Sequence, residues 1–108
     1  MTQLKIPLPI TMRKYGLTAD EWVAMADAQG DACAICRLVP TSRRLNIDHA
    51  HAKGWAKMPP EQRKLYVRGL ACFVCNNRIL SKGVTSAKLR AAADYLDAHA
   101  AMTPSSRG

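Results

Sequence analysis

Four cysteines, an Asp-His pair and one asparagine carry the chemistry legible in this sequence of 108 residues. Cys33 and Cys36 are separated by two residues, Cys72 and Cys75 likewise, and 35 residues lie between the pairs. Two such pairs can offer four thiolates to a tetrahedral zinc ion, because each short turn aims both of its sulfurs at one point. A redox dithiol and two disulfides are the competing readings, and both sit poorly with two matched pairs in a basic chain that lacks an active-site helix signature. A site closed by four cysteines staples a fold and does not catalyse. Inside the stapled interval stand Asp48-His49 and then His51. A histidine near neutral pKa can take a proton from water, and a neighbouring carboxylate can hold a hard divalent cation beside a phosphate. Alone, such a pair is more commonly a satisfied surface contact. Asn76 follows the last cysteine directly, so the staple fixes it near the strand that carries Asp48.

The rest of the composition says why a staple is needed and what the surface attracts. Leu, Ile, Val and Phe number 21, just under the ~20% of residues below which highly charged chains tend toward disorder, and 17 of the apolar residues are alanines. A core built from these is thin. The length allows one domain. The net charge is +8, and it is concentrated: residues 33–90 carry twelve basic groups and two acids, while both flanks are slightly acidic. Such a density attracts polyanions, nucleic acid first. No apolar run approaches the ~20 residues of a membrane span, and residues 1–9 lack a signal-peptide apolar stretch, so the expectation is a cytoplasmic protein that binds no membrane.

The elements that must position these residues are short. Pro7 and Pro9 make residues 1–12 an extended lead-in. Thr18 and Glu21 form a capping-box pair, Leu17 and Trp22 occupy the staple positions, and Gly30 ends the helix, which predicts a helix over 19–29 with Trp22, Met25 and Ala26 inward. Strand-like runs lie at 44–48 and 66–71, separated by a loop in which 60–66 can make a helical turn. A second short helix opens at Asn76 and stops near Gly83. A third is capped by Ser86 and follows Leu89, Ala92, Ala93, Leu96 and Ala100 up to Thr103-Pro104. Trp22, Met25, Leu89 and Leu96 read as core. Trp55 either stacks on a base or covers the core, Asn77 competes with Asn76, and His99 reads as a solvated surface residue. Arg43, Arg44, Lys53, Lys57, Arg63, Lys64, Arg68, Arg78 and Lys82 are candidate DNA contacts through their concentration around the site.

In these motifs the sequence resembles the recombination endonuclease VII group of the HNH (His-Me finger) nucleases. The matching text runs from Lys14-Tyr15-Gly16-Leu17-Thr18 through Cys33-Ala34-Ile35-Cys36 and Asp48-His49-Ala50-His51 to Arg68-Gly69-Leu70-Ala71-Cys72-Phe73-Val74-Cys75-Asn76, within residues 13–83. The resemblance implies an α+β fold: a small zinc-stapled ββα-metal domain over 13–83, a C-terminal helix over 84–103 packing on it, and a disordered tail over 104–108. It implies a metal-dependent DNA endonuclease, cutting by nicking or at branched junctions and leaving 5′-phosphate and 3′-hydroxyl ends. By similarity, His49 is the general base, His51 acts near the phosphate, Asp48 and Asn76 hold one Mg²⁺ or Mn²⁺, and Cys33, Cys36, Cys72 and Cys75 hold zinc. Ala50 stands where the family commonly has an acid, so any help from that carboxylate is absent. The family's resolvases continue into a further domain, and the family is best represented in phages. With one terminal helix and a short tail here, a monomer is favoured over a dimer. A zinc-stapled DNA-binding module without chemistry is the alternative.

Overall fold

The computed structural model describes residues 1–100. Helix α1 spans Pro9–Tyr15. Proline at the first helical position sacrifices nothing, because the N–H it lacks has no acceptor inside the helix. The extended lead-in expected over 1–12 therefore stops at Leu8, the N-cap. The preceding residues are tied down: the Thr2 hydroxyl and the Gln3 N–H donate to the Asp31 carboxylate, and the Lys5 N–H donates to the Arg43 carbonyl at 2.7 Å. Leu4 is buried in the core. Gly16, at φ 71°, ends α1.

Helix α2 spans Ala19–Ala28 and opens on the expected capping box: the Glu21 N–H donates to Thr18 Oγ1 at 3.1 Å and the Thr18 N–H to Glu21 Oε1 at 2.9 Å. Trp22 and Ala26 are wholly buried, and Met25 packs against them from the edge of the core. Strands β1 (Asn46–His49) and β2 (Val67–Ala71) form an antiparallel pair. The Gln29 side chain finishes the free edge of β2, donating to the Leu70 carbonyl at 2.9 Å and accepting from its N–H at 3.0 Å. Asp48 pairs with Gly69 and His49 with Val67, leaving Arg68 as the extra residue of a bulge. A bulge turns side chains out of strict alternation, and here it falls beside the Asp-His pair.

The connection from β1 to β2 holds a 3₁₀ turn (Trp55–Lys57), helix α3 (Pro60–Arg63) and a second 3₁₀ turn (Lys64–Tyr66). After β2 the chain enters a π-helical stretch at Cys75–Ile79, preceded by the helical residues Phe73 and Val74. This element begins before Asn76 and ends short of Gly83, because the Cys72 carbonyl already accepts the Asn76 N–H at 2.9 Å. Helix α4 is described over Ser86–Ala100. Its cap is Thr85, whose hydroxyl accepts the Lys88 N–H at 3.1 Å, and Ser86 lies inside the first turn. The expected packing of α4 on the domain is not found. No residue of α4 is buried, and Leu89, Tyr95 and Leu96 are exposed, so Leu89 and Leu96 are not core; the core closes without them around Leu4, Met12, Leu17, Trp22, Ala26, Leu45, Ile47, Leu70 and Ala71 together with Cys33 and Cys75. The end of the expected helix and the tail over 104–108 lie outside the described residues. Among the described residues no helix is long and apolar enough to cross a membrane.

Gly16 is where α1 meets α3. A Cβ there would lie 2.1 Å from the Pro60 carbonyl oxygen, whereas one at Gly30 meets nothing within 4 Å; both glycines have positive φ. Gly30→Ala is therefore expected to cost only the left-handed strain of roughly 1–3 kcal/mol, and Gly16→Ala more than that because α3 must also move. Thermal unfolding of the two variants checks the order.

Candidate active site and metal centre

The four cysteine sulfurs lie within 4.8 Å of one another, with Cys36 Sγ and Cys72 Sγ 4.0 Å apart. Four sulfurs on a tetrahedral zinc at ~2.3 Å stand about 3.8 Å apart, so the cluster is close to the size a metal ion requires. Backbone N–H groups already point at the sulfurs: Ile35 and Cys72 at Cys33 Sγ, 3.4 and 3.3 Å, and Cys75 at Cys72 Sγ, 3.4 Å. Burial opposes ionisation of Cys33, but the N–H groups of Cys72, Cys36 and Ile35 outweigh it and bring the pKa down to about 6. Burial pushes the Cys75 thiol up to about 12. One thiolate is therefore ready, and a cation is needed to ionise Cys75. Cys33 and Cys75 are also core residues, so these four side chains can hold a metal ion that is continuous with the apolar interior.

Beside this cluster lies a cavity of about 220 Å³ lined by Tyr15, Asp48, His49, His51, Asn76 and Lys82 among others. The four residues singled out for chemistry thus share one space. His51 stands beyond β1, which ends at His49, and the two rings are still only 5.1 Å apart. Asn77 lines the same cavity as Asn76, and its Nδ2 donates to the Phe73 carbonyl at 2.7 Å inside the helical turn. Asp48 is buried, and both of its oxygens accept from Arg68, Oδ2 from Nε at 2.8 Å and Oδ1 from Nη2 at 3.0 Å.

His49 is enclosed by aromatic rings. Trp55, buried at the start of its 3₁₀ turn, stacks on the imidazole at 4.0 Å between centroids, and Tyr15 packs against both at 5.5 Å. Trp55 thus covers the histidine, and its Nε1–H is committed to the Arg63 carbonyl at 3.3 Å. Burial lowers the His49 pKa below 6.5, reinforced by the charge of His51 and opposed by Asp48. The imidazole is therefore neutral, and able to accept a proton, through the neutral range. Burial and the Asp48 charge raise the Tyr15 pKa, keeping its phenol protonated.

The cations expected to contact DNA divide into two groups. Lys53, Lys57 and Lys82 line a cavity of about 600 Å³ that shares His49 and His51 with the site, and Arg44, with Lys5, lines one of about 330 Å³ that shares Tyr15 and Asn76. Others are engaged within the chain: Arg43 donates to the Gln3 carbonyl at 2.7 Å, Lys64 pairs with Glu21, and Arg63 lies over the Trp55 ring at 5.8 Å. Arg68 is held by Asp48, and Arg78 is exposed in the π-helical stretch.

The family model of recombination endonuclease VII matches residues 10–98. The chain belongs to the recombination endonuclease VII family. Its similar proteins include the Gene 59 protein of Mycobacterium phage D29, 38% identical over 84 residues, which are 76% of this chain and 44% of that protein. The Gene 59 protein of Mycobacterium phage L5 is 37% identical over 67 residues, 61% of this chain and 34% of the relative. The chain thus spans less than half the length of these relatives. No solved structure matches it. The match extends over α4, beyond the 13–83 that the motifs covered. Two members of the site had no assigned role in the sequence: Tyr15, inside the matched Lys14-to-Thr18 stretch, and Arg68, grouped with the surface cations.

Because burial under Trp55 is what lowers the His49 pKa, Trp55→Ala is expected to raise it toward 6.5. NMR titration of the His49 ring in the two proteins measures this directly, and a midpoint unchanged by the substitution contradicts the assignment.

Proposed function

We propose that this chain is a metal-dependent DNA endonuclease of the HNH, or His-Me finger, type, hydrolysing phosphodiester bonds to leave 5′-phosphate and 3′-hydroxyl ends. The observation that carries the reading is the shared cavity: Asp48, His49, His51 and Asn76 border one space of about 220 Å³ in a chain of the endonuclease VII family. β1 supplies Asp48 and His49, the segment just beyond it His51, and the helical turn after β2 Asn76, an order consistent with a ββα finger.

In this reading the four cysteines hold a structural zinc ion, consistent with the spacing of their sulfurs. Asp48 and Asn76 offer the hard oxygen donors that suit Mg²⁺ or Mn²⁺. Arg68 engages both Asp48 oxygens in the free chain. Asp48 and Asn76 would hold such a cation, which would supply charge neutralisation for the scissile phosphate and the departing 3′ oxygen. His49, kept neutral by burial, takes the proton of the attacking water. His51, exposed at the mouth, faces the phosphate. Lys53, Lys57 and Lys82 on one side, and Lys5 and Arg44 on the other, hold the flanking phosphates of the strand.

Nicking of supercoiled plasmid tests the reading. Wild-type protein is expected to nick only with Mg²⁺ or Mn²⁺. His49→Ala is expected to slow nicking by about two to four orders of magnitude, with DNA binding retained. Asp48→Asn and Asn76→Ala are expected to shift the metal requirement upward. A plasmid left intact by the wild type under all these conditions, in protein that still binds DNA, points to a binding module without chemistry.

A further inference from the structure

Asp48 stands in the wall between two cavities. His49 and Asn76 line one; Arg68 lines the other, with Ala34, Ile35 and Leu70. Arg68 is the bulged residue of β2, so the register shift beside Asp48 falls at the residue that grips it. The grip is two-pronged, at 2.8 and 3.0 Å, which directs one guanidinium edge at both oxygens. The two partners differ in freedom: the Asp48 side chain is 8% exposed and that of Arg68 46%. A fixed acid and a cation that can swing away make a pair that opens from one side.

We propose that Arg68 is a latch on Asp48: the guanidinium and a divalent cation draw on the same two oxygens, so the cation enters this site only as the Arg68 grip loosens. The inference rests on the reading of Asp48 as a metal ligand. Two cations at one buried carboxylate repel, and the guanidinium, already in place, occupies one lone pair on each oxygen and crowds the approach to the rest. Loosened, Arg68 becomes an unpaired cation at the edge of the site, where a DNA phosphate is its natural partner. Cation and substrate are thereby favoured together, since whatever draws Arg68 off Asp48 makes room for the metal.

Calorimetric titration of Mn²⁺ into the zinc-loaded chain without DNA separates the alternatives. Arg68→Gln removes the charge and the fork, and is expected to bind Mn²⁺ roughly tenfold more tightly than wild type, the size of one partly screened charge repulsion. Arg68→Lys keeps the charge without the fork and is expected to fall between them. Arg90→Gln, on α4 and away from the site, makes the same change in net charge and is expected to leave Mn²⁺ affinity as it was. Weaker or unchanged binding in Arg68→Gln overturns the latch and makes Arg68 a support for the ligand. Should Arg68→Gln not fold, as judged by its thermal transition and zinc content, Arg68→Lys decides alone: tighter binding than wild type supports the latch and weaker or equal binding overturns it. Asp48→Asn is run beside them. If it binds Mn²⁺ as well as the wild type does, the assignment of Asp48 itself fails, and the latch with it.

Discussion

Four sulfur atoms within 4.8 Å of one another, drawn from two segments separated by 35 residues, are the constraint on which the remaining structure depends. The apolar interior is too small to fix the chain unaided. Among the described residues, Trp22, Leu70 and Cys33 are the largest side chains shut off almost completely from solvent, and one of those three is itself a member of the cluster. With the turn at Cys33–Cys36 drawn onto the turn at Cys72–Cys75, β2 lies between α2 and β1. Gln29 then reaches the Leu70 backbone. The same closure sets Asn76, one residue past the last cysteine, opposite Asp48.

Within that frame the site is assembled by departures from regular structure. The bulge at Arg68 breaks the alternation of β2 beside Asp48, and the π-helical stretch carries Asn76; both kinds of irregularity recur at functional sites. The aromatic lid has a similar origin. Trp55 and Tyr15 come from the long β1–β2 connection and from the end of α1, and they meet over His49 because α1 packs on α3, with Gly16 allowing the close approach. Burial then lowers the imidazole pKa, with no hydrogen bond donated by His49 to a carboxylate among the described residues.

The parts of this arrangement that depend on local pattern were legible in the sequence. The α2 capping box is a contact between residues three apart, and both strands carry enough β-branched and apolar residues to be recognised within two residues of their ends. The cysteine spacing identified the metal cluster, and the Asp48-His49, His51 and Asn76 positions converge on one cavity. What the sequence concealed depends on tertiary partners. Pro9 reads equally well as extended chain or helix start until the Thr2, Gln3 and Lys5 contacts hold the segment that precedes it. The stripe of α4 follows helical periodicity, yet periodicity cannot say whether a neighbour exists, and among the described residues none covers it. Arg68 looked like one more surface cation because its partner lies 20 residues away across a bulge.

In the function we propose, one chain carries two metal sites of different kinds: a sulfur site that holds the fold, and an oxygen site at Asp48 and Asn76 that serves hydrolysis. Anomalous diffraction from crystals of the protein grown with Mn²⁺ and an uncleavable DNA strand tests this most directly, because zinc and manganese are distinguished at their absorption edges. The account predicts a zinc peak enclosed by Cys33, Cys36, Cys72 and Cys75, and a manganese peak in the cavity between Asp48 and Asn76, with His49 facing the adjacent phosphate. A manganese peak elsewhere on the chain, or a DNA strand bound away from His49, contradicts it.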